Sequence, residues 1–108
     1  MAGIKLIVAY PTPTDLETFT KRYNEEHLPM AAEKLAGKTK VVVSNILSMA
    51  DGSDAPYCKI VEVHFPSADV LGTCAASEGG QETIAHAVEI STGGAPLFMV
   101  SEEEVINF

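Results

Sequence analysis

The order of the apolar segments along the chain constrains its fold more than any other feature. Four segments carry the β-branched and alternating apolar residues typical of strands, and they begin at Gly3, Lys40, Tyr57 and about Leu97. Apolar residues at helical spacing follow the first segment and again the third. The resulting order β-α-β-β-α-β predicts an α+β, ferredoxin-like antiparallel sheet with its helices on one face. With 108 residues, the chain is expected to form one domain over residues 1–108.

Local signals predict where the first helical region begins and ends. Thr14 and Glu17 have the spacing of a capping box, which predicts the start of a helix. Pro29 lacks the N–H that would bond the carbonyl of Glu25, and it disfavours the α conformation of the residue before it. We therefore expect the helix to break or kink at Leu28, with a second helical piece beyond it.

Turn signals place the remaining boundaries. The second strand is predicted over Lys40–Met49 and the third over Tyr57–Phe65, joined as a hairpin. Ser67 is placed to cap the helix that follows the third strand. The glycine pairs Gly79-Gly80 and Gly93-Gly94 lack the context of a phosphate-binding loop, so they are interpreted as turns.

Three of the four strands are apolar on both faces. In the first strand, Ile4 and Leu6 alternate with Ile7 and Ala9, and the second and fourth strands show the same pattern. A sheet whose helices cover only one face leaves the other apolar face exposed to water. We therefore expect a homodimer in which two sheets pack face to face.

Charge and composition exclude several classes of function. Fifteen acidic and seven basic residues give a formal net charge of −8, which repels nucleic acid and anionic lipid. No apolar run reaches the roughly 20 residues that span a bilayer, and the N-terminus lacks the pattern of a signal peptide. A cytoplasmic location is expected. Cys58 and Cys74 are too few for a disulfide framework and are predicted to be reduced, packed thiols.

The stretch from Arg22 to Pro29 contains the main candidates for chemistry. Tyr23 and His27 share a helical face with Phe19, and this face is expected to point towards the sheet. His27 is predicted to act as a general acid or base, or as a hydrogen-bond donor to a carbonyl or phenolate, with Tyr23 or Asn24 orienting it. The structural alternative is that these polar groups only bond backbone carbonyls near the helix end.

Further residues are predicted to line a substrate pocket between helices and sheet. They are Tyr10 at the end of the first strand, Phe19 and Leu28 on the first helical region, and His64 in the third strand. The spacing of His27, His64 and His86 matches no short metal-binding motif, so no metal site is expected.

The segment IKLIVAYPTPTDLETFTKRYNEEHLPMA, residues 4–31, resembles the signature of the EthD family. Its features are a strand ending in Tyr-Pro, a Pro-Thr-Asp helix start, a Phe-x-x-x-Tyr step and a Tyr-x-x-x-His-x-Pro close. The C-terminal half resembles the family less distinctively, through Phe65, Glu78-Gly79 and the stretch TGGAPLFMVSE. The resemblance implies a dimeric α+β barrel.

Carried over to this chain, the characteristic polar positions of the family fall on Tyr23, His27 and Pro29, with Tyr10-Pro11 near the pocket mouth. Many members carry an aspartate near the position of His86, and this sequence does not. A second acidic partner is therefore not assigned in that region.

The resemblance also implies a function. The EthD family takes its name from a small protein encoded beside a cytochrome P450 system that degrades a fuel ether, and its wider superfamily includes cofactor-free monooxygenases, isomerases and haem proteins. We expect a cofactor-free, oxidoreductase-like or oxygenase-associated protein that acts on a small hydrophobic ether, aromatic or polyketide-like compound. The alternatives are a non-catalytic ligand-binding or accessory module for a partner oxygenase, and a haem-binding protein with histidine as axial ligand.

Overall fold

The computed structural model describes residues 3–108. Its elements in chain order are strand β1 (Gly3–Pro11), helix α1 (Leu16–Arg22), a π-helical turn (Tyr23–His27), helix α2 (Leu28–Lys34), strand β2 (Lys40–Asn45), strand β3 (Tyr57–Phe65), helix α3 (Ala68–Ala76), helix α4 (Glu78–Ile90) and strand β4 (Leu97–Glu103). The strands form one antiparallel sheet in the order β2-β3-β1-β4. The predicted α+β, ferredoxin-like βαββαβ fold is confirmed.

The core lies between one face of the sheet and the helices. In the central pair of strands, Val8 of β1 is directly opposite Val61 of β3, and Tyr10 is opposite Lys59. Successive residues of a strand point to opposite faces of a sheet, and the side chains of these four residues all lie on the helix-covered face. Phe19 of α1 closes the core over Tyr10 with ring centroids 5.2 Å apart in an edge-to-face arrangement.

The other face of the sheet carries apolar side chains that no helix of residues 3–108 covers. Ile7 of β1 is paired with Met99 of β4, and the neighbouring Leu97 shares that face. Met99 is 44% exposed and Leu97 is 45% exposed. Lys5 on this face pairs with Glu62 of β3. The two-sided apolar pattern predicted from sequence is therefore present in the folded chain.

The helix does not break at Leu28, which corrects that part of the expectation from Pro29, and the second helical piece expected beyond it is present as α2. The backbone N–H of Leu28 bonds the carbonyl of Tyr23, five residues earlier, and Leu28 keeps helical dihedral angles. A π-helical turn of this kind accommodates one extra residue within a helix. As a result, Pro29 falls in the first turn of α2, the part of a helix in which proline is best tolerated.

Two further boundaries differ from the sequence prediction. Asp15 rather than Thr14 caps α1, since its carboxylate accepts the N–H of Thr18 at 3.1 Å. Strand β2 ends at Asn45, four residues before the predicted end at Met49. The bounds of β3 are as predicted, and Ser67 caps α3 as expected by accepting a backbone N–H.

The glycine pair Gly79-Gly80 is helical rather than a turn. Ser77 ends α3 and also caps α4, so the two helices meet at a corner. A Cβ added to Gly80 would lie 1.9 Å from the carbonyl oxygen of Cys74. Glycine therefore permits the close approach of the two helices. Gly93-Gly94 does form a turn, and Gly94 has a φ of 135°.

None of the helices in the described part of the chain is long and apolar enough to cross a membrane. Cys58 and Cys74 are not joined by a disulfide.

Candidate functional site

The π-helical turn brings two polar side chains into the core opposite β1. Tyr23 begins the turn and His27 ends it, and they are 2% and 7% exposed. Their rings lie 5.5 Å apart, and Tyr10 of β1 faces both. The phenolic oxygen of Tyr10 lies 3.4 Å from Nε2 of His27, at the long end of hydrogen-bond distances. His27 is thus buried with a phenol beside one ring nitrogen.

The other ring nitrogen of His27 bonds a second histidine. Nδ1 of His27 lies 2.9 Å from Nδ1 of His86 in α4, and the two rings stack with an interplanar angle of 7°. Nε2 of His86 lies 3.2 Å from Oε1 of Glu26. A continuous chain of hydrogen bonds therefore runs from the buried phenol of Tyr10 to a carboxylate at the protein surface.

Arg22 fixes the outer end of this chain. Its guanidinium lies 3.1 Å from the carboxylate of Glu26 and 2.8 Å from that of Glu89. Hydrogen bonds from Arg22 and His86 hold the pKa of the Glu26 carboxyl below its usual range, so Glu26 is ionised at neutral pH. Exposed ion pairs of this kind contribute little to stability, and their main effect here is to orient the carboxylate towards His86.

Burial sets the charge states of the inner groups. It lowers the pKa of His27 from 6.5 to about 4, with a smaller contribution from the charge of His86. Burial also raises the pKa of Tyr10, and it raises the pKa of Tyr23 to about 12. At pH 7 the His27 ring is therefore neutral, and both phenols keep their protons.

Two cavities adjoin this cluster. One of about 40 Å³ lies beside His27, lined by Tyr10, Tyr23, Leu28 and Phe98 among others, and has room for water but not for an aromatic compound. A second cavity of about 470 Å³ adjoins Tyr23 and Leu28 and does not contact His27. Tyr23 and Leu28 line both cavities and therefore separate them.

The structure brings together four of the predicted site residues, namely Tyr10, Tyr23, His27 and Leu28. Asn24 is exposed, lines the larger cavity, and makes no hydrogen bond to His27 within residues 3–108. It is therefore not placed to orient the imidazole as expected.

Phe19 and His64 are not placed as pocket residues. Phe19 is 2% exposed and packs against Tyr10 and Tyr23 inside the core, and neither cavity includes it. His64 is paired with Lys5 of β1, on the face of the sheet turned away from the helices. His27 and His64 therefore cannot line one cavity within this chain, because successive residues of a strand point to opposite faces.

Sequence reasoning missed the roles of His86, Glu26 and Lys59. His86 precedes Ala87 and lies three residues after Thr83, both of which are buried in α4, so helical periodicity alone places it beside the inward face. Lys59 alternates with the inward-facing Val61 in β3, which was a visible signal of a buried charge.

The EthD domain model matches residues 11–89 of this chain. The chain belongs to the EthD domain family. An uncharacterized 11.0 kDa protein encoded in the thcB-thcC intergenic region of Rhodococcus erythropolis is 22% identical over 102 residues, which cover 94% of this chain and 97% of that protein. The resemblance recognised in residues 4–31 is thereby confirmed.

Solved structures share the fold. An EthD family protein from Bacillus halodurans has a TM-score of 0.88 at 22% identity, with 94% of this chain and 99% of that chain covered. A dimeric protein of unknown function with a ferredoxin-like fold from Bacteroides fragilis has a TM-score of 0.64 at 15% identity, with 94% and 96% covered. These similarities concern the fold.

The depressed pKa of His27 makes stability depend on pH. Because the folded-state pKa of about 4 lies below the ordinary value of 6.5, the unfolded chain takes up a proton between these pH values and the folded chain does not. The free energy of unfolding is expected to fall by roughly 3 kcal/mol through this histidine as pH drops from 6.5 to 4.

Denaturant unfolding at fixed protein concentration checks this expectation. The free energy of unfolding is measured at several pH values for the wild type and for His27→Gln, which cannot titrate in this range. The wild type should lose more stability than the variant on acidification. Two parallel curves would show that His27 titrates near its ordinary pKa.

Proposed function

We propose that this protein is a small cytoplasmic enzyme of EthD type that moves a proton on a small hydrophobic compound held between the helices and the sheet. His27 is the group that exchanges the proton. The compound would be an ether, aromatic or polyketide-like molecule that carries a hydroxyl or carbonyl oxygen, and the chemistry would need no bound cofactor. The observation that supports this proposal is the buried imidazole of His27 with a hydrogen-bond partner at each ring nitrogen.

The carboxylate of Glu26 fixes the direction of the hydrogen bonds. An ionised carboxylate only accepts, so Nε2 of His86 must carry a proton. When His86 is neutral, its Nδ1 is then an acceptor, and Nδ1 of His27 must donate to it. Nε2 of His27 is left with its lone pair towards the Tyr10 hydroxyl, which donates to it. His27 is therefore set up as a base on the side of the smaller cavity.

The same chain gives the proton a route outwards. A hydroxyl or an activated C–H of a compound that reaches Nε2 of His27 from the smaller cavity would give its proton to that nitrogen. The Nδ1 proton of His27 would pass to Nδ1 of His86, which becomes an imidazolium beside Glu26. His27 finishes neutral, with its proton on Nε2. The positive charge is thus formed next to a carboxylate rather than in the core.

A binding or accessory role without chemistry is the second candidate. The observation that favours it is the size of the cavity beside His27, which at about 40 Å³ cannot hold an aromatic compound without movement of Leu28 or Tyr23. The larger cavity would then hold a ligand for a partner oxygenase, out of reach of His27.

The residues present do not fit a haem. The adjoining cavity of about 40 Å³ is far too small for a macrocycle.

Replacement of His27 tests the proton-transfer proposal. The purified protein is screened for turnover against phenols, aryl ketones and aryl ethers, and His27→Ala is assayed on any compound that reacts. Loss of the acid/base group should lower kcat by about 10²–10⁴-fold, while the fold measured by circular dichroism is retained. Wild-type turnover by His27→Ala would overturn the proposal. Ligand binding without any turnover would favour the accessory role.

We further propose that the protein is a homodimer through its uncovered sheet face, as expected from sequence and in line with the dimeric protein of similar fold. Met99→Lys places a charge on that face and should shift the protein towards monomer in analytical ultracentrifugation. Val88→Lys is the matched control, because Val88 is 48% exposed on α4 and should leave the dimer intact. A wild-type protein that sediments as a monomer at every concentration would contradict the proposal.

A further inference from the structure

Lys59 of β3 is buried on the helix-covered face of the sheet. It is paired with Tyr10 of β1, and the whole residue is only 6% exposed. Its Nζ lies 4.3 Å from the centroid of the Tyr23 ring, in a cation–π contact. The ammonium group of Lys59 makes no hydrogen bond or ion pair within residues 3–108. Lys5 and Lys34, by contrast, each pair with a carboxylate.

An ammonium group without an acidic partner is costly inside a protein. Burial lowers the pKa of Lys59, and the face of the Tyr23 ring compensates only part of the lost hydration. Every fully buried side-chain nitrogen or oxygen of residues 3–108 has a hydrogen-bond partner. The unpartnered Nζ of Lys59 must therefore keep some contact with open space.

That space is the larger cavity, of about 470 Å³, which Lys59 lines. Apolar walls come from side chains such as Leu16, Val43 and Leu47. Thr20, Asn24 and Asn45 add groups that can donate hydrogen bonds, and no carboxylate of residues 3–108 lines the cavity. Among the described residues, Lys59 is the one basic side chain in this lining, and the net charge of the protein is −8.

We propose that this cavity binds a hydrophobic oxyanion, such as an aromatic carboxylate or a phenolate, whose oxygen accepts a hydrogen bond from Nζ of Lys59. Apolar walls with one convergent cation are what such a ligand requires. Because Tyr23 and Leu28 border both cavities, the ligand would lie next to the His27 site. The inference goes beyond the proposed proton transfer, because the larger cavity does not contact His27.

Two probes of equal shape test the proposal, namely 1-naphthoate, which is anionic, and 1-naphthamide, which is neutral. Binding is measured by isothermal titration calorimetry. The wild type should bind naphthoate at least about 10-fold more tightly than naphthamide, since a hydrogen bond between charged groups is stronger than one to a neutral group. Lys59→Met should abolish this preference by weakening naphthoate alone, and Lys59→Arg should retain part of it.

Lys21→Met is the matched control. Lys21 is exposed on α1 and is in no ion pair within residues 3–108, so its replacement removes the same charge without touching the cavity. Naphthoate affinity should not change. Equal affinity of the wild type for the two probes, or unchanged naphthoate binding by Lys59→Met, would overturn the proposal.

Two measurements keep the result independent of folding and of catalysis. If Lys59→Met does not fold, the ratio of naphthoate to naphthamide affinity in the wild type tests the proposal. Naphthoate binding should also change the amide chemical shifts of Thr20, Asn24 and Asn45. His27→Ala should bind naphthoate as the wild type does. If His27→Ala retains turnover and also binds naphthoate normally, the proton-transfer proposal is refuted and the proposed oxyanion site is not.

Discussion

The hydrogen bond between His27 and His86 is the interaction on which the rest of the site depends. It joins the π-helical turn to α4 across 59 positions of sequence, and its 2.9 Å length requires that one imidazole donate and the other accept. The carboxylate of Glu26 determines which imidazole donates, because it requires a proton on Nε2 of His86. One exposed acidic group thereby determines the protonation of a buried ring.

The π-helical turn makes this contact compatible with a continuous helix. A single wide turn places Tyr23 and His27 against the sheet and still delivers Pro29 to the first turn of α2. Such turns are often found at functional sites, where a regular helix would point the side chains elsewhere. Burial of the turn then neutralises His27 and keeps the neighbouring phenols protonated. A local irregularity of the backbone thus produces the electrostatics of the site.

The fold could be predicted from sequence because its signals are local. The bounds of β3, the cap at Ser67 and the order of the elements all follow from alternation and capping patterns within a few residues. The continuity of the helix through Leu28 could not be predicted in this way. A proline normally ends a helix, and the wider turn depends on the packing of the whole segment. Similarly, glycine is required at position 80 because the carbonyl of Cys74 in the preceding helix leaves no space for a Cβ, and no local pattern shows this contact.

The candidate site was predictable only in part, because some of its residues come from distant segments of the chain. Tyr23 and His27 share one face of one helical segment, so spacing predicted them together. His86 comes from a distant helix, and no local pattern states that two histidines meet. His64 does not line the predicted pocket, because the alternation of the inward-facing Val61, Val63 and Phe65 of β3 assigns it to the opposite face of the sheet.

The protonation of His27 is the central claim, and long-range ¹H–¹⁵N correlation spectra of histidine-labelled protein measure it directly. The chain has three histidines, so single replacements assign each ring. At pH 7 we expect a neutral His27 with its proton on Nδ1, and His86 with a proton on Nε2. A His27 ring that is charged, or that carries its proton on Nε2 while His86 is neutral, would contradict the account.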